Sequence, residues 1–172
     1  VNTGDIPVFA DVNILTQNIS LDNIKKKITN KTKAIICVHL AGLPCDMYNI
    51  KKFCNKKKIK IIEDCSQAHG ASINNRSVGT FGEISTWSFC NDKIISTLGE
   101  GGMISTNKKK LYEFCKRQIN HGSNYKSKNV SSSLFRIIIE CCQLSANAPI
   151  ILFIPVKSTV IIACNAPPKP KT

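Results

Sequence analysis

Asp64 and Lys93 stand 29 positions apart, and each sits in a segment whose chemistry suits a pyridine ring bearing an aldehyde. Asp64 follows Ile61-Ile62-Glu63 in IIEDCSQAHGA (61–71), and Lys93 lies in STWSFCNDKIISTLGEGGMIST (85–106). A carboxylate facing a protonated pyridine nitrogen keeps that nitrogen charged, so the ring can accept electrons from a carbanion. A lysine past a second strand can form a Schiff base with the aldehyde and, once freed, move protons as an amine. These are the two protein groups that make pyridoxal phosphate (PLP) an electron sink.

Neighbouring residues suit the same ring. An amide at Gln67 can bond the phenolic oxygen, the small Ser66 can pack on a ring face, and a hydroxyl at Ser88 can donate to a phosphate. Each has a plainer reading alone. A single aspartate at a strand end caps a turn, and one lysine among 24 Lys and Arg residues carries no information. The Gly99-Glu100-Gly101-Gly102 run reads as a glycine turn between strands, since it does not lead from a strand into a helix as a G-x-G-x-x-G fingerprint would. The weight rests on the set.

Alternating strands and helices must position these residues. Ile6–Ala10 is a short strand candidate. Leu21, Ile24 and Ile28 recur at helical spacing behind Ser20 as N-cap. AIICVHL (34–40) is a continuous apolar run of the kind buried in a parallel sheet. Asp46 caps a helix with Met47, Ile50, Phe53 and Cys54 on one face, and Lys56–Lys58 suit its negative pole. A strand over Ile59–Glu63 delivers Asp64 at its carboxyl end, where open α/β sheets collect ligands. Strands follow at Ile84–Phe89 and Gly102–Ser105. Thr106 or Asn107 then caps a helix carrying Leu111, Phe114, Cys115 and Gln118, with Gly122 as its stop. The fold class read from this alternation is α/β, a mostly parallel sheet with flanking helices.

Residues 1–127 therefore read as part of a cofactor-binding domain, and 128–172 as an atypical tail. In the tail Ser131–Ser133 reads as a loop, followed by the apolar pieces LFRIII (134–139) and PIILFIPV (149–156). Pro149, Pro155 and the final PPKP preclude one long helix there. The apolar stretch 148–164 is too short, and too interrupted by Pro155 and Lys157, for a membrane span.

The 172 residues carry a formal net charge of +13, which raises nucleic acid or an anionic surface as partners. The lysine runs 25–27, 56–58 and 108–110 instead fall at helix ends without interleaved aromatics, the pattern of solvated helix faces rather than a base-stacking platform. Nine cysteines lack C-x-x-C spacing and, with three histidines, form no zinc pattern. Free thiols in a reducing cytoplasm are expected. The start, VNTGDIPVFADVN, shows no signal peptide and no initiator Met, as in a chain that begins in mid-protein.

Taken together, VFADVN, TQNISLDNIKKKIT, KTKAIICVHLAGLPCDMYNI, IIEDCSQAHGA, VGTFGEISTWSFCNDKIISTLGEGGMIST and QINHG resemble the DegT-type sugar aminotransferases over about residues 5–125. The resemblance implies PLP fold type I with aspartate aminotransferase architecture. It implies that Lys93 is the Schiff-base lysine and acid/base, Asp64 the pyridinium partner, Gln67 the residue at the ring oxygen and Ser88 a phosphate contact. His69 and His121 match the family's AHG and HG segments without an assigned task. The implied reaction moves an amino group, usually from glutamate, to a keto nucleotide sugar, in a cytoplasmic homodimer with its site near the interface. Relatives that dehydrate a sugar carry histidine in place of the lysine, so Lys93 argues for amino transfer.

The chain departs from this family in two ways. Members are longer and carry, upstream, a phosphate loop and an aromatic residue stacked on the ring. After the HG segment they continue into a Gly-Tyr-Asn-Tyr-Arg-like stretch and a small domain, whereas here Asn124-Tyr125 is followed by lysines and serines. The expectation is a fragment of the large domain, with two alternatives: a non-catalytic remnant of that fold, or a basic binder of anionic surfaces or nucleic acid.

Overall fold

The computed structural model describes residues 5–97, 99, 101–119 and 150–155. Among the described residues, three α-helices, α1 (Leu21–Lys27), α2 (Met47–Lys57) and α3 (Lys109–Ile119), and a short 3-10 turn at Leu40–Gly42 accompany seven strands. These are β1 (Ala34–Val38), β2 (Lys60–Asp64), β3 (Ser72–Ile73), β4 (Arg76–Ser77), β5 (Ile84–Ser88), β6 (Gly101–Thr106) and β7 (Ile150–Pro155). Five of them form one sheet in the order β1-β2-β5-β6-β7, and β3 and β4 form a separate hairpin.

β1, β2 and β5 run parallel, and β6 pairs antiparallel with both β5 and β7. The sense of each pair follows its connection. The crossover carrying α2 returns the chain to start β2 alongside β1, whereas the loop after β5 reverses it directly. Helix α1 opens on the Ser20 hydroxyl, which accepts the Asn23 amide at 3.2 Å, and α2 opens on Asp46, which accepts the Asn49 amide at 3.4 Å. Lys58 ends α2 in a left-handed conformation, φ 57°. Lys25–Lys27 and Lys56–Lys57 occupy last helical turns, as read from the sequence. The run 108–110 falls at a helix start, also as read from the sequence. It meets the opening turn of α3, where Lys108 pairs with Glu83.

Register sorts the side chains into two rows across the sheet. Cys37, Glu63, Ser85 and Ser105 are in-register partners on one face; Val38, Asp64, Thr86 and Ile104 are partners on the other. The first row lies on the side of the main core, where Ile35, Cys37 and Ile61 pack with Ile24, Met47, Ile50, Cys54 and Phe81. All four members of that row are buried, whereas Val38, Thr86 and Ile104 of the second are only half-buried.

Ile6–Ala10 forms no strand. Ile6 is 87% exposed, and the segment finds only a single bridge nearby, Val12 to Ile19. An apolar run without a neighbouring strand has nothing to complete its ladder. The β3–β4 hairpin turns on Asn74 and Asn75, both at positive φ (49° and 61°), the asparagine-rich two-residue loop that matches strand twist. Gly122, His121 and most of the tail lie outside the described residues. Of that tail, 150–155 forms β7, along β6.

Candidate active site

Asp64 is the last residue of β2 and is 7% exposed. Its main-chain carbonyl accepts the His39 amide at 3.0 Å, and the Cys65 amide donates to the Thr86 carbonyl at 2.8 Å. The strand end is therefore tied on both sides, to the residue after β1 and to β5. In the side chain, the Ser66 amide donates to Oδ1 at 3.0 Å. No described residue donates to Oδ2. The turn-capping role of a strand-end aspartate is thus real here, but it uses only one oxygen.

Gln67 stands exposed at the same sheet end. The Ala41 amide donates to its Oε1 at 2.8 Å, which fixes the amide's orientation and turns the NH₂ group away, without a partner among the described residues. Ala41 is held at φ 51° in the tight turn after β1.

Ser88 ends β5, and the chain turns at once: the Lys93 amide donates to the Cys90 carbonyl at 3.0 Å. Thr97 closes the loop, its amide donating to the Phe89 carbonyl at 3.0 Å. Because β2 and β5 are parallel, Asp64 and this lysine-bearing turn emerge at the same end of the sheet. The Lys93 side chain is 18% exposed, and its ammonium donates to Asp92 at 3.0 Å. That hydrogen bond raises the Lys93 pKa above its ordinary value, with further support from the charges of Asp92, Cys90 and Asp64. The Ser88 hydroxyl donates to the Cys90 sulfur at 3.2 Å, and the Cys90 thiol to Asp92 at 2.6 Å.

Among the described residues, two near this end hold buried polar atoms without a partner of good hydrogen-bond geometry: Thr86 at Oγ1 and His69 at both ring nitrogens, which only the Ser88 carbonyl approaches. Such atoms cost roughly 1–3 kcal/mol each while unpaired. The His69 ring lies 5.5 Å from Trp87 and 5.4 Å from Phe89. Burial holds its pKa below the usual histidine value, aided by the Lys93 charge and opposed by the Ser88 carbonyl. His69 also lines a cavity of about 340 Å³ with Trp87, Phe89, Ile95 and Met103. Trp87 and Met103 point away from the Asp64 face by strand alternation, so this cavity is not the space in front of Asp64.

Glu63 was not singled out by its spacing, yet it organises the strand ends. Fully buried, it accepts the amides of Gly79 (2.7 Å), Phe81 (2.7 Å) and Gly82 (2.5 Å), and His39 Nε2 lies 3.2 Å away. The Cys45 amide donates to His39 Nδ1 at 3.0 Å, so the ring proton sits on Nε2 and is donated to Glu63. Burial pushes the Glu63 pKa up, but the bonds from His39, Gly82 and Gly79 outweigh it and hold the group below the usual carboxylate range. Gly79 belongs in this cradle at φ +79°, where an added Cβ would meet the Trp87 ring at 2.5 Å.

His39, Glu63 and Cys65 lie within 4.8 Å of one another, a spacing a metal ion could bridge. The donors already present argue otherwise. Both Glu63 oxygens are taken, His39 Nε2 carries a proton, and burial drives the Cys65 thiol far above its ordinary value. No disulfide forms among the described cysteines, and Cys45 is pushed up to about 12; Cys37, Cys45 and Cys54 act as core residues. No helix among the described residues is long and apolar enough to cross a membrane.

The chain is similar to known proteins over most of its length. GDP-perosamine synthase of Escherichia coli O157:H7 is 44% identical over 145 residues, covering 77% of this chain and 40% of that protein. The X-ray structure of an aminotransferase from Psychrobacter cryohalolentis matches with a TM-score of 0.70 and 47% identity, over 76% of this chain and 34% of its own. The E. coli GDP-4-keto-6-deoxy-D-mannose-3-dehydratase, solved with bound hydrated PLP, matches with a TM-score of 0.59 and 34% identity, over 63% of this chain and 28% of its own. The chain thus spans two fifths or less of the length of these relatives. The model of the DegT/DnrJ/EryC1/StrS aminotransferase family matches residues 1–142. The chain belongs to that family.

Proposed function

We propose that this chain is the part of a PLP-dependent nucleotide-sugar aminotransferase that holds the cofactor ring, with residues 1–127 as its cofactor-binding unit. The observation that carries the reading is Asp64: a buried strand-end carboxylate with one oxygen committed and the other unpartnered, at the same sheet end as the Lys93 turn. Gln67 adds an amide NH₂ turned outward by its bond to Ala41. These donor and acceptor types fit PLP: an anion for the pyridine nitrogen, an amide donor for the ring oxygen, a hydroxyl at Ser88 for the phosphate and an amine for the aldehyde.

When bound, PLP supplies an electron sink for the carbon that loses or gains a proton. The protein's own groups then have separate tasks. Asp64 holds the ring nitrogen protonated, and a preorganised charge there stabilises developing negative charge without reorganisation. Lys93 would attach the cofactor through its aldehyde, and its freed amine would take a proton from the nitrogen-bearing carbon of the donor and, in the second half-reaction, deliver one to that of the acceptor. Asp92 holds the ammonium by a hydrogen bond and favours its charged form, so the amine must give up this partner before it can act as nucleophile.

The amino donor is taken to be glutamate and the acceptor a keto nucleotide sugar, in keeping with a relative named for aminotransfer on UDP-N-acetyl-3-dehydro-alpha-D-glucosamine. The longer protein is taken to be a cytoplasmic homodimer. The test is direct. Purified chain is incubated with PLP, reduced with borohydride and digested. A pyridoxyl adduct on the Lys93 peptide is expected; a folded sample with no adduct, or with adducts spread over surface lysines, would contradict the reading.

A further inference from the structure

Thr86 is the in-register neighbour of Asp64 on β5, and both side chains belong to the same row. Its Oγ1 is buried and has no hydrogen-bond partner among the described residues. A hydroxyl with so little exposure is poorly served by bulk water, which makes a neighbouring polar side chain that can turn toward it the natural partner. The polar side chain registered beside it is Asp64, whose Oδ1 is held by the Ser66 amide and whose Oδ2 has no described donor. On the far side of Thr86 the row continues with Ile104, which offers no acceptor side chain. A hydroxyl on a neighbouring strand and a strand-end carboxylate need only a side-chain rotation to meet.

From this we infer that Thr86 is a positioning residue for Asp64. Its hydroxyl donates to the Asp64 carboxylate when that carboxylate turns to meet a protonated ring nitrogen. The bond favours the ionised carboxylate and fixes its direction. In the empty chain the same hydroxyl is an unpaired buried group, a cost retained because binding removes it. This inference rests on the PLP reading above, but it concerns a residue which that reading leaves without a task.

The test uses Thr86→Val, which keeps shape and β-branching but lacks the hydroxyl, and Thr86→Ser, which keeps the hydroxyl. Without PLP, Thr86→Val raises the melting temperature, by about 2–4 °C for a chain of this size. In a PLP titration followed by absorbance it binds at least about fivefold more weakly than wild type, whereas Thr86→Ser stays within about twofold of it. Higher stability combined with weaker binding is a signature that a purely structural threonine would not give. The inference is overturned if Thr86→Val melts lower than wild type or does not fold, or if it binds PLP with unchanged affinity. Wild type is read first: no Lys93 adduct there defeats the cofactor reading and this inference with it. A normal wild-type adduct with an unaffected Thr86→Val defeats this inference alone.

Discussion

Glu63 and Asp64 are adjacent carboxylates on one strand, and their surroundings could hardly differ more. Glu63 faces the helix-covered side, where three backbone amides and the His39 ring occupy both oxygens. Its row is closed throughout: Ser85 and Ser105 bond each other at 2.5 Å, and the Trp87 indole donates to both. Asp64 faces the other side with one oxygen engaged, beside a threonine hydroxyl that has no partner. A buried polar group whose bonds are complete holds a fold together, and one whose bonds are incomplete is waiting for something. The two rows show both conditions one residue apart.

The comparison can be broken by mutation. The largest expected effect is Glu63→Ala, which strands three amides and the His39 N–H in the core. Destabilisation of about 3–5 kcal/mol is expected in urea unfolding, since several buried donors are left unsatisfied at once, at roughly 1–3 kcal/mol each before relaxation. A loss under 1 kcal/mol would mean that the cradle is not what holds the turn at 79–82. Asp64→Asn is expected to do the reverse. It keeps an oxygen for Ser66, so stability should change by less than about 1 kcal/mol, while amine transfer by the PLP-loaded full-length enzyme falls by about 10²-fold or more. Equal damage to both properties would erase the distinction between the rows.

A pH series sharpens the contrast. The folded pKa of Glu63 lies below its ordinary value, so its contribution to stability is complete above the unfolded value of about 4.3 and is lost as pH falls through the folded one. Stability of the wild type should therefore drop in that acid range, and Glu63→Gln, less stable at neutral pH, should show a shallower drop. Parallel curves would remove Glu63 from the account. The smallest effect is expected at Asp92. Its bond raises the Lys93 pKa, so Asp92→Asn should leave more amine neutral and speed capture of PLP at pH 8 by about two- to threefold. A slower capture would mean that Asp92 places the amine rather than holding it back.

Much of this was legible in the sequence because local rules and global fold agree. Ser20 and Asp46 cap the helices they were expected to cap, and the apolar runs at 34–38 and 60–64 form the parallel strands that carry Asp64 to a sheet end. Periodicity does not report whether a neighbouring strand exists, so Ile6–Ala10 read as a strand and is not one. A Cβ at Gly101 would meet the Thr97 side chain and one at Gly102 the Trp87 carbonyl, which composition alone does not reveal. The role of Glu63 was invisible for a different reason. A glutamate in a strand reads as solvent-facing, and the amides that neutralise it come from a turn 16 to 19 residues later. The signal was present, in the glycines at 79 and 82, but only in three dimensions does it point to Glu63.

The central claim is that Asp64 and Lys93 hold one pyridine ring between them. Nitrogen-15 NMR of the chain loaded with PLP labelled at the ring nitrogen tests it most directly. With Lys93 carrying the cofactor, the wild-type resonance should fall in the protonated range at neutral pH and shift to the unprotonated range in Asp64→Asn. An unprotonated nitrogen in wild type, or a resonance indifferent to Asp64→Asn, would contradict the account.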